Sequence, residues 1–349
     1  MRIMRCCVLS AVCGMAAWAV DITPNDARIA YDGVLFPVYT NGQMVCSRFD
    51  AGTLASREKQ FNNKNAQTST GAVIRFTARA TAIEALFTLL PGENRTSRFV
   101  VLRDGIAVSN IPAGTAVNTP IRIQIPVGAE ASVYEIALPN WSNPAFGGLT
   151  IEGTLLENKT LERKTYIAIG DSISHGTGQY ATPATYPFQI AKRFGWELFN
   201  LAVGGGQISP AVGAMLAGKR VDYVSILIGY NDWNGTNSIA QYESDYHKLI
   251  GHLRRANSNA AIFCITPTFT TSTESRNKAK GDVSIDDYRE TVRRVVTACR
   301  DAGDANIHLI EGSQHTAAED LSDAVHLNEA GARRFAEKLG EAFAGKVEQ

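Results

Sequence analysis

Tyr166-Ile167-Ala168-Ile169 leads directly into Gly170-Asp171-Ser172-Ile173-Ser174-His175-Gly176, and this stretch sets the architecture of the second half of the chain. Its first four residues are an apolar run with the length of a buried strand. The surrounding glycines leave the backbone free to turn. A serine just past a strand lies where open α/β sheets bind ligands, although Gly-Asp-Ser alone also makes an ordinary turn. We therefore predict a strand that ends near an accessible hydroxyl, that of Ser172.

Strands and helices alternate from this stretch to the C terminus. The predicted strands are Tyr166–Ile169, Leu198–Val203, Tyr223–Ile228, Ala261–Thr266 and Ile307–Ile310. The predicted helices are Tyr186–Phe194, Ser209–Ala217, Ile239–Arg255, Ile285–Asp301 and Glu329–Phe343. Such alternation is typical of a parallel sheet covered by helices on both faces. The sequence thus predicts an α/β domain over residues 165–349.

The first half of the chain has a β pattern without a long helical period. The predicted strands are Ala72–Thr77, Ala85–Leu90, Arg98–Leu102, Ile121–Ile125 and Val133–Leu138. Turn-prone segments separate them, and alternating apolar and polar residues indicate a sheet with one wet face. We expect an all-β sandwich, jelly-roll-like in arrangement, over residues 20–155, joined to the α/β domain by a polar linker at 156–164.

Residues 1–19 are typical of a signal peptide. Met1–Arg5 is basic, Cys6–Ala16 is apolar, and Ala17-Trp18-Ala19 fits the small-x-small cleavage rule. The apolar run is short for a membrane span, which needs about 20 residues. We expect cleavage after Ala19 and a secreted or periplasmic protein with no membrane span after cleavage.

The composition argues against several classes of function. Lys plus Arg (34) equals Asp plus Glu (34), so no basic bias points to nucleic acid. Cys46, Cys264 and Cys299 would remain after cleavage, an odd and widely spaced set with no disulfide framework or zinc spacing. We predict no cofactor and no metal ion, and the oligomeric state stays open.

Three loops carry the partners that a nucleophilic serine requires: Gly204-Gly205-Gly206, Gly229-Tyr230-Asn231-Asp232 and Asp323-Ala324-Val325-His326. A serine hydroxyl is a poor nucleophile until a base removes its proton, and imidazole titrates in the right range to do so. His326 is therefore the predicted base for Ser172. Asp323, three residues earlier, is the predicted partner of the other ring nitrogen.

Acyl transfer also needs hydrogen-bond donors at the developing oxyanion. The predicted donors are the backbone N–H groups of Ser172 and Gly205 and the side-chain amide of Asn231. The glycine triplet fits neither a dinucleotide fingerprint nor a P-loop. Taken singly, Asn231 also fits a plain turn and His326 a surface histidine. Their joint occurrence in this order favours the catalytic interpretation.

Three further residues are predicted to have structural roles. His175 is predicted to be a loop residue lining the cleft, and Asp171 to orient the loop rather than to react. Trp141 is expected to pack at a domain edge, with stacking on a sugar ring as the alternative.

The four blocks resemble those of the SGNH (GDSL-type) hydrolases: Gly170–Ser172, Asn200–Gly205, Gly229–Asp232 and Asp323–His326. The resemblance covers the chain from about residue 164 to its end. It implies a flavodoxin-like α/β/α sheet and metal-independent ester hydrolysis through an acyl-serine, with the roles given above. Leu327 stands where many members have proline.

The order of signal peptide, β-sandwich and hydrolase domain is similar to that of secreted carbohydrate esterases that remove O-acetyl groups from plant polysaccharides. This resemblance implies an acetylated poly- or oligosaccharide substrate, and the polar loop Thr268–Val283 suits a wet sugar. Two alternatives stay open. One is a lipid-directed esterase, lysophospholipase or thioesterase on the same triad, and the other is a non-catalytic glycan-binding protein.

Overall fold

Two sheets organise the chain in the computed structural model, which describes residues 19–56 and 63–347. Over these residues a ten-stranded antiparallel sheet forms from the first half of the chain and a five-stranded parallel sheet from the second. Residues 157–164 between them form neither helix nor strand. The predicted signal peptide lies outside the described residues apart from Ala19, the first residue of β1.

The antiparallel sheet is built around two long strands. Its strands are β1 (Ala19–Ile22), β2 (Ala30–Asp32), β3 (Phe36–Thr40), β4 (Gln43–Ser47), β5 (Val73–Leu89), β6 (Arg98–Arg103), β7 (Ile106–Pro112), β8 (Pro120–Gln124), β9 (Ser132–Ala137) and β10 (Pro144–Leu156). β5 pairs with β10 along most of its length, and it also pairs with β2, β8 and β9. Two short helices, α1 (Ala51–Ala55) and α2 (Asn63–Ala66), follow β4.

The β domain corrects two expectations. The predicted strands Ala72–Thr77 and Ala85–Leu90 are parts of one strand, β5, whose two halves both contribute to the apolar core, through Phe76 and Phe87. β10 was not among the predicted strands. Gly148 lies at a register shift in the pairing with β5, with a φ of 113°. An antiparallel sheet in the first half of the chain is confirmed, and its arrangement as a sandwich or jelly-roll domain stays a prediction.

The parallel sheet has the strand order β12-β11-β13-β14-β15. Its strands are β11 (Thr165–Gly170), β12 (Glu197–Asn200), β13 (Tyr223–Leu227), β14 (Ala261–Ile265) and β15 (Ile307–Ile310). Counted within the domain this is the order 2-1-3-4-5 of flavodoxin-like folds. β11, β13 and β14 are buried at every residue, as expected for strands covered on both faces. The predicted α/β class is confirmed.

Helices cover this sheet, and several of them begin at a side-chain cap. They are α3 (Ser172–His175), α4 (Tyr186–Phe194), α5 (Pro210–Ala214), α6 (Tyr230–Asn234), α7 (Ile239–Ala256), α8 (Ile285–Asp301) and α9 (Glu329–Ala344). Ser284 and Asp287 form a capping box at the start of α8. The side chain of Asn328 accepts the N–H of Gly331 at the start of α9. None of the described helices combines the length and the apolar character needed to cross a membrane.

Candidate active site

The predicted site residues meet at one rim of the parallel sheet. Ser172 directly follows β11, the glycine loop 204–206 follows β12, and Asn231 follows β13. Asp323 and His326 lie in the loop between β15 and α9. The carboxyl ends of parallel strands share an edge, and this edge is where open α/β sheets bind ligands.

Three of the predicted residues form a continuous hydrogen-bonded set. The Ser172 hydroxyl oxygen lies 2.7 Å from Nε2 of His326. Nδ1 of the same ring lies 2.7 Å from Oδ2 of Asp323. This arrangement lets the imidazole accept the serine proton while the carboxylate holds its other nitrogen in the N–H form. The side chain of His326 is 21% exposed, so the ring lies at the wall of an open cleft.

Asp323 also shapes the loop that carries the histidine. Its Oδ1 accepts the backbone N–H groups of Val325 at 2.9 Å and of His326 at 2.8 Å. Burial alone would raise the pKa of the Asp323 carboxyl. The hydrogen bonds from the His326 ring and from these two N–H groups outweigh it, and the pKa lies below its usual value. The Asp323 carboxylate is therefore ionised at neutral pH.

Leu327, at the position where proline is common, is held firmly in this loop. The Leu327 side chain is fully buried in the core of the α/β domain. Its carbonyl accepts the side-chain amide of Gln179 at 2.5 Å. The N–H of Ser322 closes the loop by donating to the His326 carbonyl at 2.7 Å.

Asp171 holds the turn that presents the nucleophile. It is the N-cap of the short helix α3, and its side chain accepts the N–H of Ile173 at 3.0 Å. The pKa of the Asp171 carboxyl is raised to about 7, chiefly by burial and also by the charge of Asp232, against the lowering effect of the Ile173 hydrogen bond. These contacts fit the predicted orienting role.

The three predicted oxyanion donors differ in their present contacts. Gly205 is exposed and has a φ of 77°, a left-handed conformation that favours glycine. No described residue accepts a hydrogen bond from its N–H. The amide of Asn231 donates to the Gly206 carbonyl at 3.1 Å. Since an amide NH₂ carries two hydrogens, the other one is available to a substrate. The N–H of Ser172 lies in the first turn of α3 and has no acceptor within that helix.

The structure contradicts the prediction that His175 lines the cleft. Its side chain is fully buried, and its ring stacks on Trp141 with centroids 3.8 Å apart and planes 1° from parallel. Nδ1 accepts the N–H of Gly204 at 3.0 Å, so Nε2 carries the proton and donates to the Asn140 carbonyl at 2.8 Å. Burial, and next the charge of Arg48, lower the pKa of His175 well below its usual value. This histidine is a neutral structural residue.

Trp141 is buried rather than available to a sugar. Its ring is 5% exposed and lies between the His175 ring and the guanidinium of Arg95, which is 4.0 Å from the ring centroid. Trp141 therefore packs at a domain edge, as expected, and both of its faces are covered, so it is not available to stack on a sugar ring. No local sequence signal predicts this contact, because the partners come from both domains.

The parallel sheet and the hydrogen-bonded serine, histidine and aspartate form the arrangement that serine hydrolases use. The sequence model of the GDSL-like lipase/acylhydrolase family matches residues 168–334. This part of the chain therefore belongs to that family, and the resemblance stated from the sequence is confirmed. The sequence has no significant match among curated proteins.

Solved structures share the architecture of both domains. Salicylyl-acyltransferase SsfX3 from a tetracycline biosynthetic pathway is 19% identical, covering 94% of this chain and 98% of its own, with a TM-score of 0.82. A family two carbohydrate esterase from Clostridium thermocellum in complex with cellohexaose is 18% identical (79% and 93% covered, TM-score 0.65). An acetyl xylan esterase from the rumen bacterium Butyrivibrio proteoclasticus is 14% identical (79% and 91% covered, TM-score 0.61). At these identities the likeness concerns the fold, and together with the family match it supports an esterase.

Proposed function

We propose that this protein is an exported serine esterase that removes O-acetyl groups from a carbohydrate through an acyl-serine intermediate. The observation that carries the proposal is the hydrogen-bonded set of Ser172, His326 and Asp323, with both distances at 2.7 Å. An acetylated poly- or oligosaccharide is the proposed substrate, and no cofactor takes part in the reaction.

In the first half of the reaction, the Ser172 hydroxyl oxygen attacks the acetyl carbon while Nε2 of His326 takes the hydroxyl proton. The negative charge that develops on the carbonyl oxygen is met by the N–H groups of Ser172 and Gly205 and by the Asn231 amide. Asp323 stabilises the imidazolium. The imidazolium then gives its proton to the departing sugar oxygen, which leaves acetyl-Ser172 and a free hydroxyl on the sugar.

In the second half of the reaction, water replaces the sugar. The imidazole of His326 takes a proton from water as the water oxygen attacks the acetyl-serine carbon. Collapse of the second tetrahedral intermediate breaks the bond to Ser172, whose oxygen recovers the proton, and acetate leaves.

The polar wall beside the triad favours a sugar over a lipid chain. The hydroxyl of Thr270 donates to the Ala324 carbonyl at 2.8 Å, so this loop adjoins the loop that carries the histidine. Further along, the Ser272 hydroxyl lies 3.0 Å from that of Tyr230, next to Asn231. Hydroxyl groups therefore adjoin the site, and an acetylated sugar ring can exchange hydrogen bonds with them.

The test is acetate release from acetylated xylan, glucomannan and pectin, measured for the wild type and for Ser172→Ala. We expect release from at least one polymer, and a loss of about 10³-fold or more in the variant. Ser258→Ala is the matched control, because this serine precedes β14 at the opposite end of the sheet and its hydroxyl contacts only an exposed asparagine in the hydrogen-bond network of the described residues. Unchanged release by Ser172→Ala would revive the non-catalytic interpretation.

Chain-length preference separates this proposal from the lipid-directed alternatives. p-Nitrophenyl acetate should be hydrolysed with a higher kcat/KM than the octanoate. The reverse order would count against the carbohydrate substrate and favour a lipid-directed esterase, lysophospholipase or thioesterase.

A second candidate is acyl transfer to an alcohol other than water, since the salicylyl-acyltransferase shares the fold over nearly the whole chain. The same acyl-serine serves both reactions, and only the second nucleophile differs. Adding an acceptor alcohol to the acetate assay distinguishes them: transfer predicts that acetate falls while an acetylated acceptor accumulates in equal amount.

A further inference from the structure

Residues 201–204, which lead from β12 to Gly205, make many backbone hydrogen bonds to neighbouring segments. The N–H of Leu201 donates to Ala168 at 2.8 Å, and that of Val203 donates to Gly170 at 3.0 Å. These bonds attach the loop to β11 and to the turn of the nucleophile. The next residue, Gly204, is instead held by groups that depend on the β domain.

Both peptide groups that flank the Cα of Gly204 have a fixed orientation. Its N–H donates to Nδ1 of His175 at 3.0 Å. Its carbonyl accepts Nδ2 of Asn65, a residue of the β domain, at 2.7 Å. A Cβ at position 204 would lie 2.2 Å from the Trp141 ring and 3.1 Å from Nδ2 of Asn65. Glycine is therefore required at 204 because two β-domain side chains pack directly against it.

The orientation of the Asn65 amide follows from its partner. A carbonyl oxygen only accepts hydrogen bonds, so the amide atom 2.7 Å from it is the donor, Nδ2. The side chain is 4% exposed, which shields this hydrogen bond from competition with water. Asn65 is itself held by Arg48, whose Nη2 donates to the Asn65 carbonyl at 3.0 Å.

Arg48 connects the same two segments a second time. Its guanidinium is buried and donates from Nη1 to the carbonyls of Asn200 at 2.8 Å and Ala202 at 2.6 Å. Its Nε donates to the Thr68 carbonyl at 2.6 Å. Burial lowers the pKa of Arg48 to about 9, so the group stays charged at neutral pH. The start of the glycine loop is therefore tied to the β-domain segment that contains Asn65.

Within the trans peptide that joins Gly204 to Gly205, the C=O and the N–H point in opposite directions. A carbonyl directed at Asn65 and the β domain therefore directs the Gly205 N–H away from it, towards the open rim. We propose that Asn65 of the β domain is a positioning residue that aims the Gly205 N–H at the oxyanion. This inference rests on the proposed function, because it presupposes that Gly205 is an oxyanion donor.

If Asn65 had only a structural role, its hydrogen bond to the buried Gly204 carbonyl would stabilise the fold but would not selectively stabilise the transition state. The two roles are separable because an oxyanion donor acts on kcat and on the binding of tetrahedral analogues, whereas loss of stability changes neither in the folded fraction. Methylboronic acid is a suitable probe, since it forms a tetrahedral, negatively charged adduct on a nucleophilic serine.

The experiment compares Asn65→Ala with wild type in p-nitrophenyl acetate hydrolysis and in inhibition by methylboronic acid. We expect kcat to fall about 10–100-fold with KM changed less than about twofold. The inhibition constant of the boronic acid should rise by a similar factor. Asn65→Asp keeps the shape but places an oxygen against the Gly204 carbonyl, so it should lose kcat at least as strongly at pH 8. It replaces Asn65→Ala where the alanine variant does not fold.

Asn158→Ala is the matched control. Its Nδ2 also donates to a backbone carbonyl, that of Arg75 at 3.0 Å, and its Oδ1 accepts the Arg75 guanidinium, so its hydrogen bonds do not involve the glycine loop. It should keep kcat and the inhibition constant within about twofold. An Asn65 variant that keeps wild-type kcat, or loses kcat with unchanged boronic acid affinity, overturns the positioning role. If Ser172→Ala in the same series also keeps the wild-type rate, the proposed function fails instead.

Discussion

Two glycines in the α/β domain allow the role of the Gly205 backbone to be separated from its conformational strain. Gly205 has a φ of 77° and Gly218 a φ of 73°. A Cβ added at either position meets no atom within 4 Å. Gly205→Ala and Gly218→Ala therefore introduce the same left-handed strain, about 1–2 kcal/mol for an L-residue, with no steric clash. Only position 205 carries a proposed oxyanion donor.

The size of the strain limits the expected effect on the rate. Losing an oxyanion donor altogether costs about 2.7–4 kcal/mol, more than the strain. In the free Gly205→Ala enzyme, the backbone should relax away from the left-handed conformation and so relieve the strain. In the transition state, the alanine should return to that conformation, because the hydrogen bond from its N–H is worth more than the strain. The cost is the strain that the free enzyme had relieved, so kcat/KM should fall about 5–30-fold. Gly218→Ala should change kcat/KM by less than about twofold and lower only the free energy of unfolding.

The assay is kcat/KM for p-nitrophenyl acetate, measured beside urea unfolding for both variants. Equal kcat/KM values for Gly205→Ala and Gly218→Ala would refute the assignment of the Gly205 N–H as a donor. A fall far beyond about 30-fold would instead show that the loop cannot return, and that the N–H is lost entirely.

Three further outcomes are expected. Asp323→Asn should lower kcat about 10–100-fold, less than in a triad with a fully buried carboxylate, because the side chain is 53% exposed; steady-state kinetics measure this, and an unchanged kcat would contradict it. The Asp171 pKa is about 7 in the folded protein, against 3.8 in the unfolded chain, so between these pH values the folded state binds one more proton than the unfolded state. The contribution of Asp171 to the free energy of unfolding is therefore greatest below pH 4, and it falls by about 4 kcal/mol as the pH rises to 7. Asp171→Asn removes this slope in urea unfolding at a series of pH values, and a difference from wild type that does not change with pH would refute it. Burial raises the pKa of the Cys46 and Cys264 thiols to about 12, so in a folded protein prepared without residues 1–19 a thiol reagent should modify at most Cys299, and all three cysteines after unfolding.

Much of the parallel sheet could be predicted because its elements are bounded by local signals. Helix Tyr186–Phe194 ends at Gly195, which has a φ of 67° and caps it. The predicted strand Leu198–Val203 was too long. The chain leaves the sheet at Asn200, whose side-chain oxygen accepts the N–H of Ala202 at 3.0 Å. This local turn competes with strand pairing, although the residues that follow are apolar.

The antiparallel domain was less predictable since its long strands bend. The segment between the predicted strands in β5, residues 78–84, alternates polar and small residues and resembles a break. In the structure it stays paired with β10, and the irregularity appears as a register shift between Glu152 and Gly153. Such bulges depend on packing across the sheet, which a local pattern does not encode.

The residues of the candidate site also fall into two groups, those with a local sequence signal and those defined by contacts between distant segments. Ser172, Asn231 and His326 could be identified because each follows a recognisable strand or precedes a helix in the order that acyl transfer requires. Asn65 and the structural role of His175 could not, because their contacts join segments more than a hundred residues apart. A histidine in a glycine-flanked turn resembles a cleft residue until its partners are known.

These contacts argue that the β domain is part of the catalytic unit rather than a separable module. The carbonyls of Asn200, Ala202 and Gly204 all accept hydrogen bonds from β-domain side chains. Without that domain these carbonyls would turn to water or to one another, and the loop between β12 and Gly205 would lose the groups that fix its peptide planes. The Ser172–His326 pair could form without the β domain, but the proposed donor at Gly205 would lose the contacts that fix its direction, and fixed donors are what make an oxyanion site effective.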